Sequence, residues 1–390
     1  MIKIGIIGCG KIAQVRHIPE YANNPNVKIV GYYDRNTQRA QALADQYGGK
    51  VYTTYEAILL ETGEDAVDAV SVCAANVAHA EITLNALHEK KHVLCEKPMA
   101  MNLDQCEAMV AMSQEVGKKL IIGHNQRLAK AHIKAKELIE EGLIGDIVTF
   151  KTNFAHSGPE NWSINPGAFT WFFDKTAAGL GVMADLGIHK TDLIHFLTGQ
   201  RIVKTTAFVG TVDKRGPDGA LIGVDDNAIC IYQLENGAIG TMNVSWTCYG
   251  EEDNSTILYG TKGVMKIYAD PQYTIIVENL SHEKILYEID KIQTNENQTN
   301  SGVIDLFVEA ILADEAMKEK AETNQGDSKM GVSELEVSSL RAHGSWFKNL
   351  SGEEALASMH VVFASVESAA RGCSVDIEHT NGSRLKKGGA

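Results

Sequence analysis

A lysine, an aspartate and a histidine stand in this chain where a proton and a hydride could be moved at a secondary alcohol. Lys97 lies in Cys95-Glu96-Lys97-Pro98, directly after a short β-branched run. An ammonium at the carboxyl end of such a strand can reach both a bound ribose and a reacting hydroxyl. Asp185 and His189 are four residues apart, which predicts both on one helix face, and Asp192 continues that stripe. Leu186, Leu193 and Leu197 form a separate apolar stripe for the core, so the polar stripe is expected to face a cleft. Removing the hydroxyl proton takes a base, and an imidazole oriented by a carboxylate suits that work near neutrality.

A hydride needs an acceptor, and the N-terminus offers a place for one. The run Ile4 to Ile7 leads into Gly8-Cys9-Gly10-Lys11-Ile12-Ala13, a Gly-x-Gly-x-x-Ala fingerprint between a predicted strand and a predicted helix. Gly8 makes the tight turn, Gly10 lets a pyrophosphate approach the backbone, and Ala13 permits close helix packing. The following helix N-terminus presents free N–H groups to the phosphates. Asp34 ends the second predicted strand, 24 residues after Gly10, close to where an acid that binds the adenine ribose belongs. That acid favours NAD over NADP, although NADP stays open because Arg35 follows directly. Arg35 is read three ways: stacked on adenine, beside a 2'-phosphate, or solvated.

The elements that hold these residues are legible from periodicity. Strands are predicted at Lys3 to Ile7, Lys28 to Tyr33, Asp68 to Cys73, His92 to Cys95 and Lys119 to Ile122. Helices are predicted at Thr37 to Tyr47, Ala78 to Glu89 and Leu103 to Val116. This is the grammar of an N-terminal Rossmann domain, a doubly wound parallel α/β sheet, assigned to residues 1–124. After a helix from Lys130 to Glu141, long alternating strands follow at Ile147 to Phe154, Lys204 to Val212, Ala228 to Leu234, Ala238 to Trp246, Thr256 to Tyr259 and Gly263 to Tyr268. Asn236-Gly237 marks a hairpin between two of them. Residues 125–390 are therefore read as a C-terminal α+β domain on a large, mostly antiparallel sheet. Ala313 to Ser351 is polar and is read as a surface insertion or mobile loop; Gly382 to Ala390 is read as a disordered tail.

Composition closes off other classes. A net charge of -14 repels nucleic acid and anionic lipid, and no apolar stretch is long enough to span a bilayer. Seven cysteines without a Cys-x-x-Cys pair suggest reduced thiols, and the start of the chain lacks a signal-peptide core, so a cytoplasmic location is expected. No metal-ligand motif is found.

Four segments together carry a family resemblance: Gly8 to Ala13, Ala75-Asn76-Val77-Ala78-His79-Ala80-Glu81, Cys95 to Pro98, and Gly179 to Asp192, which reads GLGVMADLGIHKTD. In this order the chain resembles the Gfo/Idh/MocA family of glucose-fructose oxidoreductases and inositol dehydrogenases over nearly its whole length. The resemblance implies Lys97 as catalytic with a cis bond to Pro98, His189 as acid/base, and Asp185 as its partner at the substrate. It implies Glu96, Ala75, Asn76 and His79 along the cofactor, with His79 equally readable as a helix N-terminal residue without a ligand. Arg127 keeps its place near cofactor or substrate, or else forms a structural salt bridge; Gln126 replaces the tyrosine usual there. His156, Trp162 and Trp171 either face the sugar or are ordinary packing residues. The implied activity is hydride transfer between NAD and a hydroxyl of a sugar, cyclitol or related polyol, in a homodimer or homotetramer. Two other readings use the same scaffold: a glycosidase that retains its NAD, and a non-catalytic sugar sensor, which would have no need of Lys97, Asp185 and His189 together.

Overall fold

Short runs rich in isoleucine, valine and leucine, from two to seven residues long, build the first sheet. The computed structural model describes residues 1–291, 300–323 and 350–379. Strands β1 (Ile2–Ile7), β2 (Val27–Tyr33), β3 (Lys50–Val51), β4 (Ala69–Val72), β5 (His92–Cys95) and β6 (Leu120–Ile122) pair in parallel in the order β3-β2-β1-β4-β5-β6. The order reverses between β1 and β4, and ligands of open parallel sheets bind at the strands' carboxyl ends beside such a reversal. Gly8, Ala75 and Lys97 all follow those ends. Two short elements escaped the sequence reading: β3, and helix α3 (Tyr55–Leu59). The predicted crossover helices appear as α2 (Thr37–Tyr47), α4 (Asn76–His88) and α5 (Leu103–Val116); α1 (Ile18–Asn23) follows the glycine loop through a π-helical turn at Ala13–His17.

Among the described residues the second sheet has nine strands. Helix α6 (Lys130–Glu140) leads to β7 (Ile147–Ala155), flanked by β10 (Ile239–Ser245) in parallel and β11 (Thr256–Gly260) antiparallel. Strands β8 (Ile202–Gly210) and β9 (Asn227–Leu234) continue one side; β12 (Gly263–Ile267), β13 (Ile275–Asn279) and β14 (Lys284–Tyr287) continue the other. All neighbouring pairs but β7 and β10 are antiparallel. Helix α8 (Ile188–Thr198), which follows the short α7 (Lys175–Ala178), is buried at every position from Ile188 to Leu197.

The stretch expected to be a polar insertion begins instead as the end of a helix. Helix α9 (Val303–Thr323) packs beside α1 and adds Val303, Ile304, Phe307, Val308 and Ile311 to the apolar cluster that Ile2, Ile4 and Ile6 of β1 share with α1 and α2 on one face of the first sheet. The remainder of that stretch, at 324–349, and the tail at 382–390 lie outside the described residues. Helix α10 (Gly352–Arg371) then packs between the two sheets, and β15 (Val375–Asp376) closes the second beside β8.

Candidate active site

Between the carboxyl edge of the first sheet and the inner face of the second lies a cleft of about 770 Å³. Its first half is made by the glycine loop. Gly8 has φ +93°, and a Cβ there would stand 2.6 Å from the Cys73 carbonyl carbon and oxygen, so only glycine closes this turn. A Cβ on Gly10 would meet no protein atom within 4 Å and would project into the cleft. Nothing in the protein requires glycine at Gly10, whereas a pyrophosphate passing close to the backbone does. Lys11 and Ile12 line the same wall, while Cys9 and Ala13 are fully buried beneath it.

Asp34 accepts from the Cys9 N–H at 2.7 Å and from the Asn36 N–H at 2.7 Å, which ties its carboxylate to the glycine loop. The cation at this acid is Arg39, one turn into α2, with Nη1 3.4 Å from both carboxylate oxygens. Arg35 is exposed at the cleft rim. These features fit a dinucleotide: a glycine cradle open to the cleft, and an acid held at the end of β2.

Glu96 and Lys97 form the floor. Glu96 is buried, with His17 Nε2 at 2.8 Å and Arg16 Nη1 at 3.1 Å. Burial alone would raise its pKa; the His17 hydrogen bond and the Arg16 charge outweigh that and hold it at about 2. Glu96 also accepts from the Lys97 N–H, fixing the backbone at a cis Lys97–Pro98 bond. His79 braces this loop from beneath: its Nδ1 lies 2.8 Å from the Pro98 carbonyl oxygen and its Nε2 3.0 Å from that of Ala74. Asn76 donates to the Ala178 carbonyl at 2.9 Å, joining α4 to the second half of the cleft.

From that second half come Asp185 and His189, and here the helical spacing misleads. Met183–Gly187 is a π-helical turn, which inserts an extra residue per turn, before α8 begins at Ile188. Its start is held by Asp225, whose carboxylate accepts from the N–H groups of Gly181 and Met183 at 2.8 and 2.7 Å. Asp185 does not orient His189. Its Oδ1 receives the Lys97 ammonium at 2.7 Å and its Oδ2 the Trp246 indole N–H at 3.1 Å. His189 faces the cleft with Nδ1 buried and without a protein partner. Burial first, and then the Lys97 charge, push its pKa well below the usual imidazole value, so the ring is neutral at pH 7.

The expected polar stripe does not continue to Asp192. That carboxylate is buried, gripped by Arg127 through Nε and Nη2 at 2.7 Å each. Of the two readings of Arg127, the geometry matches the structural salt bridge: it is half of a buried ion pair, further held by Glu354, and it does not line the cleft. Two oppositely charged groups expelled from water need each other more than either needs a ligand. Gln126 does line the cleft.

His156, Trp162 and Trp171 line the far wall with Phe154 and Phe172. His156 Nδ1 accepts from the Gly158 N–H at 3.0 Å, so the neutral ring carries its proton on Nε2. The rings form a connected series, with Trp162 5.2 Å from Phe172 and Phe172 6.4 Å from the Trp246 that binds Asp185. Sequence reasoning missed Trp246, Asp225, Arg16, His17 and Arg39. Only Arg39, one turn beyond Asp34, carried a local signal.

Residues 2–124 match a family model described as the oxidoreductase family, NAD-binding Rossmann fold, and residues 132–266 match the GFO/IDH/MocA C-terminal domain. Glucose-6-phosphate 3-dehydrogenase of Bacillus subtilis (strain 168) is 33% identical over 242 residues, covering 60% of this chain and 65% of that protein. D-glucoside 3-dehydrogenase of Escherichia coli (strain K12) is 31% identical over 256 residues, covering 63% and 70%. The chain thus spans about two thirds of the length of these relatives. The solved structure of levoglucosan dehydrogenase, in complex with NADH and levoglucosan, superposes with a TM-score of 0.73 over 97% of this chain and 100% of that one, at 22% identity, a likeness of fold. Matched in both halves, the chain belongs to the Gfo/Idh/MocA family of NAD-binding oxidoreductases.

Proposed function

We propose that this protein is a dehydrogenase transferring a hydride between NAD and a secondary hydroxyl of a sugar, cyclitol or related polyol. The observation that carries this reading is the meeting of Lys97, Asp185 and His189 in one cleft between a glycine loop and an aromatic wall. NAD bound on that loop supplies the hydride acceptor. His189, neutral and lining the cleft, takes the hydroxyl proton. The Lys97 ammonium donates to the hydroxyl oxygen and steadies the negative charge that grows there, while Asp185 and Trp246 hold that ammonium in place. His156, Trp162 and Trp171 seat the sugar, and Glu96, Asn76 and His79 shape the floor beneath the cofactor. A screen of sugars, inositols and their keto forms, read as NADH absorbance, tests the assignment. Stoichiometric NADH release supports it; turnover of glycosides without NADH release favours the NAD-retaining glycosidase.

The same reading places the protein in the cytoplasm as a homodimer or homotetramer. All seven cysteines are free thiols, and among the described residues no helix is long and apolar enough to cross a membrane. The outer face of the second sheet exposes Phe208 on β8, Ile229 and Ile231 on β9 and Ile239 on β10, an apolar surface suited to a second copy. Sedimentation of the full chain, with Phe208→Asp as the disrupting variant, tests the assembly.

A further inference from the structure

The substrate half of the cleft is electrically neutral. From Asn125 onward, Asp185 is the only side chain of formal charge among the described residues lining it, and Lys97 reaches across to neutralise it at 2.7 Å. Every other cation close by is engaged elsewhere. Arg127 is locked to Asp192, and Lys214 is paired with Glu160. Lys190 lies fully buried near Phe154, donating to the Asn254 carbonyl at 3.0 Å, and burial pushes it down to about 7.

A helix N-terminus is the other usual anion site, and in the turn that leads into α8 on the substrate side the N–H groups are taken. The N–H groups of Gly181 and Met183 donate to the Asp225 carboxylate, and that of Val182 to the Asp225 carbonyl at 2.8 Å. The polar groups left to a substrate are uncharged. His156 carries its proton on Nε2 and, like His189, is held neutral chiefly by burial. The Trp162 indole N–H is buried without a protein partner. Neutral donors and ring faces match hydroxyls and C–H surfaces. A phosphate or carboxylate brought here would leave water and find no free cation, fork or amide cluster.

We infer that the ring oxidised in this cleft bears hydroxyl groups and no ionised substituent, so that uncharged sugars, glycosides or cyclitols are substrates while sugar phosphates and sugar acids are rejected. The inference rests on the dehydrogenase reading above and narrows it. The test uses the full chain with saturating NAD and matched pairs: glucose and methyl α-D-glucopyranoside against glucose 6-phosphate and glucuronate, and myo-inositol against myo-inositol 1-phosphate, each followed as NADH formation. The expected result is a kcat/KM for the best neutral member at least about a hundredfold above its charged counterpart, the scale of an unmet charge-assisted contact. Equal or preferred turnover of a charged member overturns this inference and leaves the dehydrogenase standing. NADH formation from neither kind, with NAD binding intact by fluorescence, overturns both.

Discussion

The Lys97 ammonium and the Asp185 carboxylate meet at 2.7 Å across the two halves of the cleft, and the carboxylate's second oxygen is held by Trp246. Lys97 follows β5 of the first sheet and Asp185 stands in the π-helical turn that leads into α8, so the pair also registers one half of the cleft against the other. Lys97→Ala should lower kcat/KM by roughly a hundredfold or more, with NAD affinity nearly unchanged because the glycine loop and Asp34 hold the adenine half. Asp185→Asn should cost a similar factor by releasing the ammonium. The double variant should be little worse than either single one, because the two act as a unit. Additive losses would separate their roles.

His189 sets the acid side of the pH profile. A base must be neutral to accept a proton, and burial lowers the protonation of this ring well below the ordinary value near 6.5. The acidic limb of kcat/KM for oxidation should therefore fall below pH 6.5 in the parent. His189→Ala should flatten that limb and cost roughly a hundredfold or more in rate. A limb unchanged in the variant would move the base to another group.

Cofactor choice should turn on Asp34 and the arginine it holds. With the acid present, a 2'-phosphate is repelled, and NAD should be favoured by roughly ten- to two-hundredfold in kcat/KM. Asp34→Ser removes the repulsion and frees Arg39, alongside Arg35, to pair with a phosphate. The NAD to NADP ratio should narrow or reverse. An untouched ratio would show that the acid does not read the ribose.

Arg127 should matter to stability before turnover. Arg127→Ala leaves Asp192 ionised and buried, and removing one partner of such a pair costs about 3 to 5 kcal/mol. Thermal unfolding should show this as a marked fall in Tm, while KM for the sugar in the surviving native fraction stays close to the parent's. A raised KM with unchanged Tm would restore Arg127 to the substrate site.

How far the chain could be read depended on how local each signal was. Five of the first sheet's six strands, the glycine loop and the Lys97 motif declare themselves within a few residues and stand where the sequence predicts, whereas the two-residue β3 is too short to show any period. The π-helical turn at Met183–Gly187 gives no such local signal: Asp185 and His189 look like one helix face until the extra residue is seen, and Asp225, which holds the start of the turn, lies more than 40 residues on. Arg127 and Asp192 are 65 residues apart, so neither shows from its neighbours that it is already spoken for. Helix α9 was missed because the polar run after it diluted its apolar face.

That helix gives the order of synthesis a meaning. The strands of the nucleotide half leave the ribosome by residue 124 with α1 and α2 already against them, yet the apolar cluster on that face is complete only when Phe307 and Ile311 of α9 arrive. At ordinary translation rates that interval is roughly 10 to 40 s. Over that time the nascent chain carries an apolar cluster still missing the side chains that α9 adds beside α1. A fragment ending near residue 124 would keep its glycine loop and lose the apolar side chains that α9 adds, so the cofactor-binding half is completed by a helix that follows the second sheet in the chain.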